Sequence, residues 1–384
     1  MTRTIIDINI LQTVPPSNIN RDDTGSPKTA VYGGVRRSRV SSQAWKRATR
    51  VAFASLLDQE DLGTRTKRVV ELLAERIHQK DDSIPPARAL ELATLAFGAA
   101  GIKLTESRKS TKENPLPAES GYLLFLSARQ IDHLAEAAIA ANAAQDPEAS
   151  LKGAGLKRSL DVEHSVDLAL FGRMVADSSD LNVDASAQVA HAISVHPVET
   201  EFDYFTAVDD HKAADTEEDA GAGMIGTVEF SSSTLYRYAT IDVNRLHDNL
   251  GHGDGGGADA TRRAVEAFLQ AFSRSMPTGK QNTFANRTLP DAIVITVRDS
   301  QPVNLVGAFE EPIREGSRIG KASAALAEHA ASVDAAYGTT PVATWVVRAA
   351  PAAAPLDRLG ESVTLDAAVK RAGELTAQRL QDDR

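Results

Sequence analysis

The chain has 384 residues, 42% hydrophobic and 24% charged, so it can bury a substantial core and form more than one substructure. It contains no cysteine, which excludes disulfides, thiolate nucleophiles and every zinc site that needs cysteine. No segment approaches the roughly 20 apolar residues of a membrane span, and the N-terminal sequence lacks the apolar stretch of a signal peptide. We therefore expect a cytoplasmic globular protein without a membrane partner.

The formal net charge of −10 conceals a strongly basic N-terminal region. The first 50 residues contain nine Lys and Arg against three Asp, a local net charge of +6, which leaves −16 for the remainder. Such asymmetry indicates a charged ligand bound at one place on a chain that is otherwise acidic.

The N-terminal region predicts a strand, a loop and a helix. In residues 4–11 isoleucine alternates with polar residues, which is the period of a half-buried strand, and the proline pair at 15–16 is predicted to end it. A polar surface loop follows. Residues 41–57 predict a helix, with Ser41 or Ser42 as its N-terminal cap.

The middle and C-terminal parts alternate between helical and extended patterns. Residues 60–180 carry helical periodicity with long polar connections and predict an all-helical insertion. Residues 188–243 contain two stretches rich in β-branched and aromatic residues around an acidic segment, 211–223, and predict a long hairpin. The remaining predicted elements are a helix at 258–276, a strand at 292–299, a helix at 315–333, a strand at 343–348, a linker at 349–355 and a terminal helix at 361–380.

This order of elements predicts an α+β core interrupted by insertions. A ferredoxin-like or RRM-type sheet fits the pattern, and so do other α+β sheets. No internal repeat is visible.

Residues 33–50, GGVRRSRVSSQAWKRATR, form the most unusual segment. From Lys28 to Arg50 there are seven cations and no carboxylate, although like charges three or four residues apart on a helix repel each other. Gly33 and Gly34 allow close approach of a ligand to the backbone, and the helix start favours anions. The segment therefore indicates polyanion binding, by cations and neutral donors at Arg36, Arg37, Arg39, Ser41, Ser42, Gln43, Lys46, Arg47 and Arg50.

Two interpretations of these cations stay open: they bind a nucleic acid, or they pair with the carboxylates that are abundant elsewhere in the chain. An extended sheet with stacking side chains would favour single-stranded nucleic acid. The candidate stacking residues are Phe202, Tyr204, Phe205, Tyr236 and Tyr238, each of which is also typical of a sheet core.

Two competing signals are weaker. The G-x-G-x-x-G pattern at Gly251, Gly253 and Gly256 does not directly follow a strand, so it predicts a loop and not a dinucleotide site. The histidine pairs are each five residues apart, which suits no metal pair on a helix, and we interpret them as structural or surface residues: they are His191 with His196 and His247 with His252.

Asp22 and Asp23 after the first strand suggest a different class of function. They could hold Mg²⁺ in a nuclease, although adjacent carboxylates more often cap turns and no third ligand is evident. A filament-forming structural protein without nucleic acid is a further class, and it leaves the basic segment unexplained.

Five segments together resemble CasC, the repeated backbone subunit of the type I-E CRISPR Cascade complex and a member of the RAMP superfamily. They are NRDD (20–23), residues 33–50, DLALFGRMVA (167–176), residues 190–210 and residues 226–241. The resemblance runs in order from the first strand to about residue 290. It implies an RRM-like palm at 1–59 and 181–384, a helical fingers insertion at 60–180 and a thumb β-hairpin at 196–230.

The resemblance also implies a function. Members of this family have no catalytic activity, metal or cofactor of their own, and several copies assemble head to tail along the CRISPR RNA, where guide and target DNA strand pair. Other Cascade subunits are implied as partners. The alternative within the superfamily is a metal-dependent endoribonuclease that acts on CRISPR RNA or target RNA.

The residues carried over by the resemblance overlap with the basic segment. The implied RNA contacts are Arg21, Lys28, Ser41, Ser42, Gln43, Lys46, Arg47 and Arg50, with Met174 in the fingers. Phe205 and Thr206 match the thumb segment that wedges between guide and target. The chain departs from the pattern at Val35, where relatives can carry a basic residue, and at Trp45, which fills an aliphatic position.

Overall fold

A computed structural model describes residues 3–107, 109–111, 113, 115–175, 181–207, 224–251 and 257–382. The fold is mixed α+β, with one large sheet, two small sheets and many helices, so the predicted fold class is confirmed. None of the described helices is long and apolar enough to cross a membrane.

The strands are β1 (Ile5–Ser17), β2 (Thr29–Tyr32), β3 (Val35–Val40), β4 (Gly63–Thr66), β5 (Leu104–Thr105), β6 (Glu119–Ser120), β7 (Leu124–Ser127), β8 (Ala187–Val189), β9 (Ala192–Ser194), β10 (Glu201–Ala207), β11 (Met224–Asp242), β12 (Ala292–Arg298), β13 (Ala343–Arg348) and β14 (Glu361–Ser362). The helices are α1 (Ser42–Ala52), α2 (Val69–Lys80), α3 (Pro86–Ala99), α4 (Ala128–Asn142), α5 (Pro147–Gly153), α6 (Leu156–Ser159), α7 (Val166–Phe171), α8 (Val243–Leu250), α9 (Gly257–Arg274), α10 (Gln281–Phe284), α11 (Arg318–Tyr337) and α12 (Leu365–Asp382).

The chain divides into two compact units. Unit 1 comprises Met1–Ala52, Val189–Thr240 and Phe268–Ala372, and unit 2 comprises Phe53–Gln188, Ile241–Ala267 and Gly373–Arg384. The core of unit 1 lies between the sheet and α11, and that of unit 2 lies among α2, α3 and α4. The palm, fingers and thumb bounds implied by the resemblance stay a prediction.

The large sheet of unit 1 has the strand order β14-β13-β12-β1-β11-β9-β3-β2, and β10 pairs with β11 beside this path. β1 is buried on both faces, because its polar Asp7 and Asn9 are as inaccessible as its isoleucines. The prediction of a half-buried strand was therefore wrong. β1 also continues through the proline pair to Ser17. Its pairing with β12 ends at Leu11, so Pro15 and Pro16 lie beyond the residues whose backbone amides that pairing uses.

Two further predictions concern the hairpin and the linker. β10 and β11 pair antiparallel from Glu201 with Phe230 to Ala207 with Met224, which confirms the hairpin, while the acidic segment 211–223 lies outside the described residues. The linker prediction was wrong: Pro351–Leu359 is a 3₁₀ helix that buries Ala353 and Leu356 in the core of unit 1.

Candidate nucleic-acid interface

Asn20 connects the loop after β1 to the start of α1. Its backbone carbonyl accepts a hydrogen bond from the Lys28 amide at 2.9 Å, and its Oδ1 accepts one from the Ser41 amide at 2.8 Å. The Lys28 carbonyl accepts from the Arg39 amide at 2.9 Å, and Arg21 forms an isolated β-bridge within the same loop. Four of the predicted binding residues are thereby held in one region of unit 1.

Asp22 builds the turn of this loop. Its Oδ1 accepts hydrogen bonds from the Thr24 hydroxyl at 2.7 Å and from the amides of Thr24 and Ser26 at 3.0 Å. The Thr24 hydroxyl is the main cause of the lowered pKa of Asp22. Among the described residues, no group of three or more His, Asp or Glu side chains could hold a metal ion. Asp22 is therefore engaged as a turn residue.

Gly33 and Gly34 form the tight turn between β2 and β3. Both have left-handed backbone angles, with φ of +59° and +74°, which glycine adopts without steric cost. A Cβ on Gly33 would lie 1.7 Å from the carbonyl oxygen of Glu310. The close approach at Gly33 is thus made by the protein itself, and the predicted approach of a ligand is not required to explain this glycine.

The arginines of β3 differ in accessibility because successive strand residues face opposite sides. Arg36 is exposed and Arg39 is half-buried, whereas Arg37 is fully buried. The Arg37 guanidinium donates to backbone carbonyls of Tyr32 at 3.1 Å, Ser194 at 2.9 Å, Phe309 at 2.8 Å and Glu310 at 3.3 Å. The prediction that Arg37 binds RNA was therefore wrong, because its donors are used inside unit 1.

Helix α1 presents the remaining predicted residues. The Ser41 hydroxyl accepts a hydrogen bond from the Ala44 amide at 3.3 Å and caps the helix, as predicted. Trp45 and Thr49 bury one face. On the other side Gln43 and Arg47 are exposed, and the sequence positions between these faces hold half-buried Ser42, Lys46 and Arg50. Partial burial lowers the pKa of Lys46.

Most exposed cations of this surface have no carboxylate partner within the part of the chain that the structure describes. Within the described residues, no carboxylate forms an ion pair with Arg21, Lys28, Arg36 or Arg47. The interpretation that these cations pair with the chain's own acids therefore finds no support at these four positions. We call these residues, together with Arg39, Lys46 and Arg50, the cationic surface.

Arg237 fixes the buried side of α1. Its guanidinium carbon lies 3.7 Å from the centroid of the Trp45 ring and 4.5 Å from that of Phe272. Nη1 donates to Gln12 Oε1 at 2.6 Å, and Nη2 donates to the Phe272 carbonyl. Burial lowers the pKa of Arg237 to about 9. The aromatic residue at position 45, which departs from the pattern of the resemblance, thus makes a cation–π contact with Arg237, and Phe272 makes a second one from a different direction.

His191 belongs to this surface, although the sequence identified it only as a structural or surface histidine. It lies between β8 and β9, and its Nδ1 is 3.3 Å from Arg39 Nη1 and 3.3 Å from the Ser42 amide nitrogen. Burial lowers its pKa first, and the charges of Arg39 and Lys28 lower it further. The pairing of β9 with β3 brings His191 to the start of α1, and no local sequence pattern predicts that pairing.

The β10–β11 hairpin exposes aromatic side chains. Phe202 and Tyr204 share one face and are 67% and 63% exposed, while Phe205 on the other face is 37% exposed. The Phe205 ring lies across its partner Gly226, where a Cβ would be 2.4 Å from the ring. Thr206 is exposed. Three of the candidate stacking residues are therefore accessible.

Tyr236 and Tyr238 are not accessible, so their role as stacking residues was predicted wrongly. Both are buried, with exposures of 2% and 6%. The Tyr236 hydroxyl donates to Asn9 Oδ1 at 2.7 Å, and the Tyr238 hydroxyl donates to Asp7 Oδ1 at 2.7 Å. These bonds satisfy the polar residues of the doubly buried strand β1.

Met174 belongs to unit 2 and is 88% exposed. The neighbouring Arg173 is buried, and its guanidinium donates to the carbonyls of Leu181 at 2.7 Å, Phe125 at 3.2 Å and Leu160 at 2.8 Å. Gly172, the residue before Arg173, has a φ of +76°. The hydrogen bonds of buried Arg173 therefore fix the backbone next to Met174, whose apolar side chain is exposed to solvent.

Among the described residues, the glycine pattern and the histidine pairs add no second site. Gly251 ends α8 in the left-handed conformation, while Gly253, Gly256 and His252 lie outside the described residues. His196 is buried, and its Nδ1–H donates to the Pro197 carbonyl while its Nε2 accepts from the Thr234 amide. The interpretation of His196 as a structural histidine is confirmed.

The fold and this surface together define an α+β protein that exposes a tract of cations suited to a polyanion. The chain belongs to the family described as CT1975-like protein, whose family model matches residues 6–371.

Two solved structures are similar over nearly the whole chain. A chain of a "CRISPR RNA-guided surveillance complex, pre-nicking" is 34% identical with a TM-score of 0.81, and the match covers 97% of this chain and all of that one. A chain of a "CRISPR RNA-guided surveillance complex" is 28% identical with a TM-score of 0.71, covering 97% and 99% respectively. No curated protein matches the chain. The resemblance predicted from the sequence is thereby confirmed.

Proposed function

We propose that this protein is a non-catalytic, CRISPR RNA-binding backbone subunit of a type I-E Cascade surveillance complex in antiviral defence. The observation that carries the proposal is the cationic surface, in which Arg21, Lys28, Arg36 and Arg47 have no carboxylate partner among the described residues. It occurs in a chain that matches subunits of CRISPR RNA-guided complexes over 97% of its length.

The chemistry of the surface suits a guide of any sequence. Guanidinium and ammonium groups, hydroxyls and backbone amides bind phosphate and sugar, which carry no sequence information. A subunit that covers variable spacers needs this kind of contact, since base pairing with the target strand supplies specificity. The exposed positions of Gln43 and Arg47 on α1 and of Arg36 on β3 agree with such a role.

Repetition along the guide completes the proposal. Copies related by a head-to-tail contact form an open helix, which suits a linear ligand. The Phe205 and Thr206 segment of the hairpin would wedge between guide and target strand, at an unstacking cost of about a few kcal/mol per step. Met174 would pack beside the RNA, and other Cascade subunits would complete the complex in the cytoplasm.

The first test measures the affinity of the protein for two guide RNAs with unrelated spacer sequences as a function of salt concentration. If each copy binds about four phosphates, log K should fall against log salt with a slope near −3 per copy, because single strands contribute about −0.7 per phosphate. The two spacers should give equal affinities within about twofold. A strong dependence on spacer sequence would contradict backbone binding.

The second test addresses catalysis. We expect no Mg²⁺-dependent cleavage of bound guide or of complementary RNA, because Asp22 is engaged in its turn and the described residues offer no metal cluster. Labelled RNA incubated with the protein and Mg²⁺ should stay intact on a denaturing gel. Cleavage that is lost in Asp22→Asn would identify the endoribonuclease of the alternative hypothesis.

A further inference from the structure

The protonation of His191 follows from its two partners. Arg39 Nη1 and the Ser42 amide, each 3.3 Å from Nδ1, can only donate hydrogen bonds. Nδ1 must therefore carry a lone pair, and the proton of the neutral ring lies on Nε2. One exposed imidazole thus accepts from a side chain of β3 and from the first amide of α1.

His191 and Thr29 hold the Arg39 guanidinium from two directions. Arg39 Nε donates to the Thr29 carbonyl at 3.2 Å, and Nη1 donates to His191. These bonds use two of the five N–H donors of a guanidinium, so three stay without a partner among the described residues. Because its rotamers are already restricted, Arg39 loses less conformational entropy when it binds an anion.

A neutral acceptor is the appropriate group at this position. A carboxylate would orient Arg39 equally well but would cancel its charge, and an ammonium would repel it. The charged groups that act on His191 are Arg39 and Lys28, and both are positive. A neutral imidazole therefore orients the guanidinium while the positive charge of this region is conserved.

We propose that His191 is a positioning residue of the guide-binding site: its Nδ1 holds the Arg39 guanidinium in the geometry that binds a phosphate group. This inference rests on the proposed function. His191 acts through Arg39, so its contribution should vanish when Arg39 is absent.

A double-mutant cycle tests this dependence. His191→Ala should weaken guide binding about fivefold, the effect of losing one or two hydrogen bonds that orient a charged group. His191→Asn retains an acceptor at the position of Nδ1 and should bind within about twofold of the wild type, whereas His191→Gln carries its amide further out and should behave like His191→Ala. In an Arg39→Ala background, His191→Ala should cause no further loss.

Three results would overturn the inference. The first is an equal loss from His191→Ala with and without Arg39, and the second is wild-type binding by Arg39→Ala. The third is a ¹⁵N spectrum of histidine-labelled protein that places the His191 proton on Nδ1, which is informative even if a variant fails to fold. Failure of the proposed function would instead appear as absence of guide binding by the unmodified protein.

Discussion

Arg237→Ala is expected to lower the free energy of unfolding by about 3 to 4 kcal/mol, since it removes a fully buried side chain and leaves polar partners unsatisfied. The truncation leaves a cavity beside the Trp45 and Phe272 rings and deprives Gln12 Oε1 of its donor. Within the described residues, Arg237 has no carboxylate partner, so the aromatic rings and two oxygen acceptors stabilise its charge. Urea denaturation followed by circular dichroism measures the change.

Two variants control this result. Arg287→Ala removes an exposed arginine and should change stability by less than about 0.5 kcal/mol. Arg237→Met fills the space beside the rings without a charge and should be less destabilising than Arg237→Ala. Equal stabilities of Arg237→Ala and Arg287→Ala would show that the cation–π contacts of Arg237 do not hold α1.

The features that could be predicted from the sequence are local ones. The start of α1, its cap at Ser41 and the accessible cation Arg47 follow from side-chain chemistry and helical spacing within a dozen residues. The β10–β11 hairpin follows from two stretches of β-branched and aromatic residues. Family resemblance added the proposed function, which no local pattern specifies.

The failures concern partners that are distant in the sequence. The sequence alone does not distinguish Arg36 from Arg37. Only the pairing of β3 with β9 and the position of Phe309 show that the Arg37 side chain is buried. In the same way, Tyr238 is withdrawn from the surface by Asp7, which lies 231 residues earlier in the chain. Burial of polar groups depends on such non-local acceptors, so composition alone cannot separate a binding arginine from a structural one.

The cationic surface should be essential for guide binding. We expect the triple variant Arg21→Glu, Arg36→Glu and Arg47→Glu to weaken binding at least about 1,000-fold at physiological salt. Each substitution removes a charge-assisted contact of about 1.5 to 3 kcal/mol and adds repulsion of a phosphate. Fluorescence anisotropy with a labelled guide measures the loss. The fold should persist, because these three arginines have no ion-pair partner among the described residues.

A matched triple variant separates the position of the charge from its amount. Arg65→Glu, Arg129→Glu and Arg287→Glu change the net charge equally and alter exposed arginines that likewise have no ion-pair partner among the described residues. Because long-range attraction is screened beyond about 8 Å at physiological salt, this control should retain most of the affinity. If both triple variants lost binding equally, the guide would respond to the overall charge of the protein, and a localised phosphate-binding surface would be ruled out.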